Sequence, residues 1–478
     1  MSSGTRKWLL ILPAIYFLFF FAITDIGVVG PDEPRYASIG RAMAESGDWV
    51  TPRLWGDPWF EKPPLLYWMV GLAHRAGLAG ELAARLPVVL LSLAFLVFFY
   101  RYLRSDFGPR AAGFATAVLG TSAGWLAYSQ LALTDIPLAA TFSAAMLVGY
   151  RAMERESRRL LAVSAALLGF AVLAKGLVPL VLALPLLWMW RSRFRRFLDL
   201  GPVLVFLLIA LPWYVILTSR AGMPFIQEFF LRHHFARFSS GVQLHARPFW
   251  FYLPVLLAGL FPWTPGIALL FRRSFFADPR RRFLLLWALF GFVFFSASSG
   301  KLPGYLLPLF PALAALIGIA LDEASNVRWV LASACVLLLL VPVVAAVLPA
   351  ALASGLSRSG FTGWNWPFTV TFALMAVMIL WVEDIGRRGA AVGMLVGGIV
   401  LSVAFVKVKA YPMVDRLATA RPLWQKVSVM TRSTCVESVN RSWRYGLNYY
   451  SGKPLPDCYA RPRPVRILQL PGLPPLIH

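Results

Sequence analysis

The chain has 478 residues, of which 59% are hydrophobic and only 14% charged, with a formal net charge of +24. Soluble domains carry about a quarter of charged residues, so this composition excludes a soluble globular protein and points to a polytopic membrane protein. The positive charge does not imply nucleic acid, because no base-reading module accompanies the basic residues, which sit in short clusters between apolar runs.

The runs are helical in length and lack the alternation of a membrane barrel, so the expected class is all-α. Arg6 and Lys7 precede the first run, and charged residues rather than a small-residue cleavage site follow it, which reads as a retained anchor. Residues from about Trp8 to Val29 then cross outward and deliver PDEPRYA (31–37) to the outer face, where Asp32, Glu33 and Arg35 gather at the bilayer edge. Charge in that position is costly unless used. A long outer loop of about residues 30–82 follows, with WFEKPPLLYW at 59–68 and interfacial helices expected within it. Leu65 to Leu78 is too short for a span and carries His74 and Arg75, so it is expected to lie in the interface.

Crossings at about Ala83–Leu103 and Ala111–Ser129 lead to SQLALTDIPL, with Asp135 outside, and the next helix ends at Arg151–Arg159. Between Arg159 and Arg191 both flanks are arginine-rich, which predicts two short helices with a turn near Ala174-Lys175-Gly176 and Lys175 outside. A helix to Thr218 opens a second outer loop, about 219–248, with LRHHFARF and LHARPFWFY. Helices then descend to the arginines at 272–282 and rise to SASSGKLPGY, so Lys301 and Tyr305 lie outside. Three or so further helices end near Phe405 and leave a polar outer tail containing Cys435 and Cys458, which can pair or stay as thiols. The organisation is a membrane domain over 1–406, about 13 transmembrane helices with a cytoplasmic N-terminus, and a C-terminal outer domain over 407–478.

In this topology the unusual polar groups collect on one side: Asp32, Glu33, Arg35, Glu61, Lys62, Asp135, Lys175, His234, His245, Arg247, Lys301 and Tyr305. The arginine clusters fall on the other. Each member has a plain structural alternative: Asp32 and Asp135 could cap helices, Glu61 and Lys62 could be a surface pair, Lys175 could snorkel, and Arg247 and Tyr305 could anchor the interface. The joint pattern is more specific. Two acids, several cations and aromatics at a bilayer edge are what group transfer from a lipid phosphate requires. Glu61, His234 and His245 are also candidate ligands for a divalent metal, Zn or Mg, although their spacing is irregular and the residues do not require a cofactor.

At these residues the chain resembles a known family. PDEPRYA, WFEKPPLLYW, LTDIPLA, LAKGL, HARPFWFYLP and SGKLPGYLLPLFP, over roughly residues 8–325, are similar to the bacterial aminoarabinose transferases of lipid A and their relatives in the protein O-mannosyltransferase superfamily. The resemblance implies a C-type glycosyltransferase fold in the bacterial inner membrane with thirteen helices and a periplasmic C-terminal domain. The donor would be an undecaprenyl-phosphate-linked sugar and the acceptor lipid A or another envelope glycan. It further implies that Asp32 is the principal catalytic carboxylate and Asp135 the second acid, and that Lys62, Arg247 and Tyr305 bind the donor phosphate with Lys175 nearby. Glu33, Arg35 and Lys301 would support the sugar or acceptor, and Glu61 with a loop histidine would match a metal contact. The tail is shorter than the family's, which leaves the acceptor open. Two rivals are a protein O-glycosyltransferase of the same superfamily and a lipid or sugar transporter; the second should show paired repeats and polar groups at mid-bilayer.

Overall fold

In the computed structural model the described residues are 11–229, 247–355, 365–470 and 473–478. The Asp135–Glu154 helix sets the scale of the bundle: its 20 residues rise about 30 Å at 1.5 Å each, the thickness of a bilayer's hydrocarbon core. At its Glu154 end the arginine clusters meet their partners. Arg151 pairs with Asp106 at 2.7 Å, Arg280 with Glu154 at 2.8 Å, and Arg193 and Arg196 both with Glu156. Arg388 closes the same end by donating to the carbonyls of Leu321 and Ala324. Asp135 stands at the other end, so the separation of the two sets of polar groups follows from where helices begin and stop.

Six helices among the described residues are each long and apolar enough to cross a membrane: Gly80–Thr121, Asp135–Glu154, Leu200–Ala221, Pro303–Glu323, Trp366–Asp384 and Arg388–Ala418. Two helix pairs bent at a break add up to two more, Phe249–Gly259 with Thr264–Leu270 (106°) and Arg328–Leu338 with Val341–Ser354 (48°). Gly80–Thr121 is itself two helices. Gly108, at φ 84°, is followed by Pro109 and breaks the helix, because glycine reaches that conformation freely and proline cannot continue the preceding turn. The remaining apolar helices are shorter or begin with arginines, so length and composition do not by themselves fix a total of thirteen. The chain is a multi-pass membrane protein. Where helices Gly80–Thr121 and Pro303–Glu323 cross, Gly318 lies against the backbone of Ala115, and a side chain there would collide with it.

The first run differs from expectation. Helix covers Ile11–Phe20, and the apolar residues after it run as irregular chain to Val29, which bridges to Thr419. Non-helical backbone at this depth needs partners from the protein. Arg85 supplies them, donating to the carbonyls of Ile23, Ile26 and Gly27 at 2.7–2.8 Å, and Lys407 donates to those of Leu18 and Phe21.

The segment after Gly30 holds two short helices, Asp32–Ser46 and Leu65–Arg75, joined through a hairpin of β1 (Arg53–Leu54) and β2 (Asp57–Pro58). Leu65–Arg75 has 11 residues and rises only about 16 Å, too short to cross, as the interfacial expectation requires. The hairpin turns through Trp55 (φ 54°) and Gly56 (φ 102°). A left-handed residue with a side chain costs roughly 1–2 kcal/mol, and turns of this kind ordinarily place Asn or Asp where Trp55 stands.

The expected break between Arg159 and Arg191 is present. Helix Arg158–Lys175 ends at Gly176 (φ 77°), and two short helices, Val178–Leu182 and Leu184–Met189, complete the return. The last long helix does not stop near Phe405 but runs to Ala418, so the tail's own structure begins later than residue 407. That tail has helices Arg421–Val427 and Arg441–Ser451 and a mixed sheet in which β3 (Thr434–Val436) pairs parallel with β4 (Val465–Leu468) and β4 antiparallel with β5 (Leu476–Ile477). Leu423, Val427, Val436, Trp443, Leu447 and Ile467 form its core, and Cys435 is bonded to Cys458.

Candidate active site

Asp32 opens its helix, with Pro31 before it and Glu33 and Pro34 behind it in the first turn. Proline is tolerated there and acids are favoured by the exposed N–H groups. One turn on, Arg35 reaches back to the Asp32 carboxylate and across to Glu61 at 2.8 Å, and Lys62 lies 3.6 Å from Glu61. The Arg35 guanidinium also lies 5.3 Å from the Trp59 ring centre and 5.5 Å from that of Tyr445. Burial works against its charge, but Glu61 and then Asp32 outweigh burial and hold the group above its ordinary range. The neighbouring Tyr36 phenol is raised well above its usual value, by burial first and then by Glu61 and Asp32, and stays neutral.

A second cluster forms at the start of the Asp135–Glu154 helix. Lys175 donates to Asp135 at 2.6 Å and sits 4.7 Å from the centre of the Tyr305 ring. The close approach depends on Gly304, where a Cβ would fall 2.6 Å from both the Asp135 carboxylate and the Tyr128 ring. Tyr128 lies within electrostatic reach of both Asp135 and Asp32 and so links the clusters. Exposure separates one group from the rest: the Asp32 side chain is 37% exposed, whereas those of Arg35, Glu61, Lys62, Asp135 and Lys175 are at most 13% exposed. The arrangement is one accessible carboxylate in a wall of paired, buried charges.

The other expected residues behave differently. Glu33 turns away from Asp32 and is fully buried against Arg85, with two contacts of 2.8 and 2.9 Å; it also accepts the N–H groups of Val29 and Ala132. Its place is structural support for the Asp32 loop. Lys301 is buried and donates to the Ser298 carbonyl within its own loop. Arg247 is exposed and lies 5.8 Å from the Phe251 ring centre. His234 and His245 lie outside the described residues. Glu61 faces Arg35 and Lys62, and among the described residues no three acidic, histidine or cysteine side chains form a metal cluster. A cleft of about 790 Å³ between Thr24–Asp25 and Lys407–Pro422 is lined by none of the residues singled out in the sequence.

Sequence reasoning missed Arg85, Tyr128, Trp55, Trp59 and Tyr445. An arginine inside an apolar crossing was the available signal for Arg85. Nothing local ties Tyr445, in the tail, to Arg35.

The family profile described as dolichyl-phosphate-mannose-protein mannosyltransferase matches residues 61–216. An undecaprenyl phosphate-alpha-4-amino-4-deoxy-L-arabinose arabinosyl transferase of Pseudomonas paraeruginosa is 35% identical over 334 residues, covering 66% of this chain and 60% of that protein; the match thus spans about three fifths of the relative's length. The crystal structure of ArnT from Cupriavidus metallidurans in the apo state superposes with a TM-score of 0.77 at 25% identity, covering 98% of this chain and 94% of that one. The same protein bound to undecaprenyl phosphate gives 0.74 at 24% identity, covering 98% and 93%. The expected C-type glycosyltransferase fold is thereby borne out.

Proposed function

We propose that this chain, similar to the aminoarabinose transferases and to the protein O-mannosyltransferase family, moves a sugar from undecaprenyl phosphate to lipid A or another envelope acceptor on the outer face of a bacterial inner membrane, with inversion. The observation that carries the reading is the Asp32 carboxylate, more exposed than the buried ion-paired groups around it. A relative with this fold has been solved with undecaprenyl phosphate bound, which supports that donor.

In the proposed reaction an acceptor oxygen attacks C1 of the sugar from the face opposite the phosphate. The C1–O bond to phosphate breaks, and its electron pair leaves with the lipid phosphate. Lys62, Arg247, Lys175 and Tyr305 compensate the growing charge, and Asp135 fixes the Lys175 ammonium through their 2.6 Å contact. A hydroxyl acceptor gives its proton to Asp32; a phosphate acceptor is already ionised, and Asp32 then orients it or the sugar amine. Arg35, clamped between Asp32 and Glu61, holds the carboxylate in place. The same orientation makes the N-terminus cytoplasmic and the tail periplasmic. A divalent metal held by Glu61, His234 and His245 is a separate proposal; Glu61 already faces two cations, no step is routed through a metal, and unchanged transfer after EDTA would remove it. A protein hydroxyl as acceptor is the second reading, favoured only by the mannosyltransferase profile over 61–216.

The test is transfer by Asp32→Asn in reconstituted membranes, read by mass spectrometry of lipid A and of secreted proteins. Turnover should fall at least about a hundredfold, the scale of a positioned acid–base group, with insertion unchanged. An Asp32→Asn enzyme of near wild-type rate would remove the assigned role.

A further inference from the structure

We propose that Trp55, Trp59 and Tyr445 form a carbohydrate subsite that receives the pyranose ring of the acceptor beside Asp32, a proposal that rests on the transferase reading above. The three rings are joined in space. Trp59 and Tyr445 lie 5.3 and 5.5 Å from the Arg35 guanidinium, which holds Asp32, and Trp55 lies 5.5 Å from Tyr445 at an interplanar angle of 47°. Each ring is only half-buried, so part of its surface remains open beside the accessible carboxylate.

One feature sets this cluster apart from ordinary interface packing. Trp55 occupies a left-handed position in a two-residue turn, where a bulky side chain is strained. Strain of this kind persists where the surrounding structure fixes it and collects at ligand sites. Half-open aromatic faces beside an accessible carboxylate suit a ring with C–H faces and a hydroxyl-bearing edge. A hydrocarbon tail would use the faces alone and leave the Asp32 carboxylate without a partner from the ligand. The rings also come from the hairpin and the tail helix, elements apart from those that carry Lys175 and Tyr305. In a displacement with inversion, acceptor and leaving phosphate stand on opposite sides of C1, and the proposal puts the phosphate toward Lys175 and Tyr305 and the acceptor ring toward the aromatic faces.

The test uses the full-length protein in detergent, with a water-soluble glucosamine disaccharide phosphate as probe followed by saturation-transfer NMR, and undecaprenyl phosphate titrated separately. The disaccharide ring protons should saturate on wild-type protein. Trp55→Gly, which suits the left-handed turn, and Tyr445→Leu should each weaken disaccharide binding about tenfold, the scale of a lost stacking partner; Trp55→Phe should retain most of it, and undecaprenyl phosphate affinity should hold within about twofold. The proposal is overturned if wild-type protein does not bind the disaccharide, if both variants bind it normally, if both ligands are lost in parallel, or if inorganic phosphate displaces the disaccharide completely. Failure of the transferase reading would look different: no transfer from an undecaprenyl-phosphate-linked sugar by wild-type protein, with the disaccharide bound and still sensitive to Trp55→Gly.

Discussion

Replacing Arg85 with methionine should destabilise the protein far more than its distance from the reacting groups suggests. The Arg85 and Glu33 side chains are 1% and 0% exposed, so Arg85→Met leaves a carboxylate in the interior with only the N–H groups of Val29 and Ala132 as partners. Breaking a buried pair from one side costs about 3–5 kcal/mol. The carbonyls of Ile23, Ile26 and Gly27 lose donors in the same step, at about 1–3 kcal/mol for each group left unsatisfied; relaxation absorbs part of that, and the total should lie near the upper end of the first range. Unfolding of a membrane protein is commonly irreversible, so the measurement is the half-life of solubilised protein at a fixed temperature. If about 3 kcal/mol falls on the unfolding barrier, the half-life shortens by about a hundredfold. The double variant Glu33→Met/Arg85→Met removes both charges and should recover at least about 1.5 kcal/mol of the loss. A half-life of Arg85→Met within about twofold of wild type, or a double variant no better than the single, would refute the assignment of this pair as the support of the Asp32 loop.

Gly304→Ala should lower turnover with little change in membrane insertion, because the new methyl displaces Asp135 or Tyr128 at a cost of about 1–3 kcal/mol; transfer assays with matched protein levels check it. Reducing the protein, or changing Cys435 and Cys458 together to serine, opens a loop of sequence separation 23 and should cost the tail about 3 kcal/mol, read as faster proteolysis within residues 421–478. His74 is held below its ordinary pKa, by burial first and Arg41 second, so the fold prefers the neutral ring. That contribution to stability is complete above the unfolded value of about 6.5 and is lost as pH falls through the lower folded value. Half-lives of wild type and His74→Gln measured from pH 7.5 to 5 should therefore diverge only in the acidic part of the range, with wild type the more sensitive.

Local signals in the sequence carried much of the fold. Arginines at both ends of the 159–191 stretch demanded an even number of crossings, and Gly176 marks the turn. The shortness of Leu65–Arg75 marked it as interfacial, and Asp135, Lys175 and Tyr305 were legible as sharing one end of the bundle, although the ion pair between the first two was not. What stayed hidden depends on partners far away in the chain. Hydropathy counts Phe21–Val29 as part of a crossing, yet this stretch is not helical, because Arg85 satisfies its carbonyls from 60 residues on. Glu33 and Asp32 are adjacent in sequence and look alike there, but successive positions on a helix point in different directions, one toward Arg85 and the other toward the open face. The returning tail, with its short strands and mixed composition, has no period long enough to announce where it docks.

That docking reaches the loop ahead of Asp32. Gly27 donates to Asp415 at 2.7 Å, Val28 donates to the Tyr450 phenol at 3.1 Å, and Val29 bridges to Thr419. The stretch leading into Asp32 therefore takes its final form only after partners 388 and 422 positions further along the chain have been made. Cleavage between Pro412 and Asp415 would unsettle the approach to Asp32 from a distance, with the Asp32–Arg35–Glu61 contacts themselves left uncut.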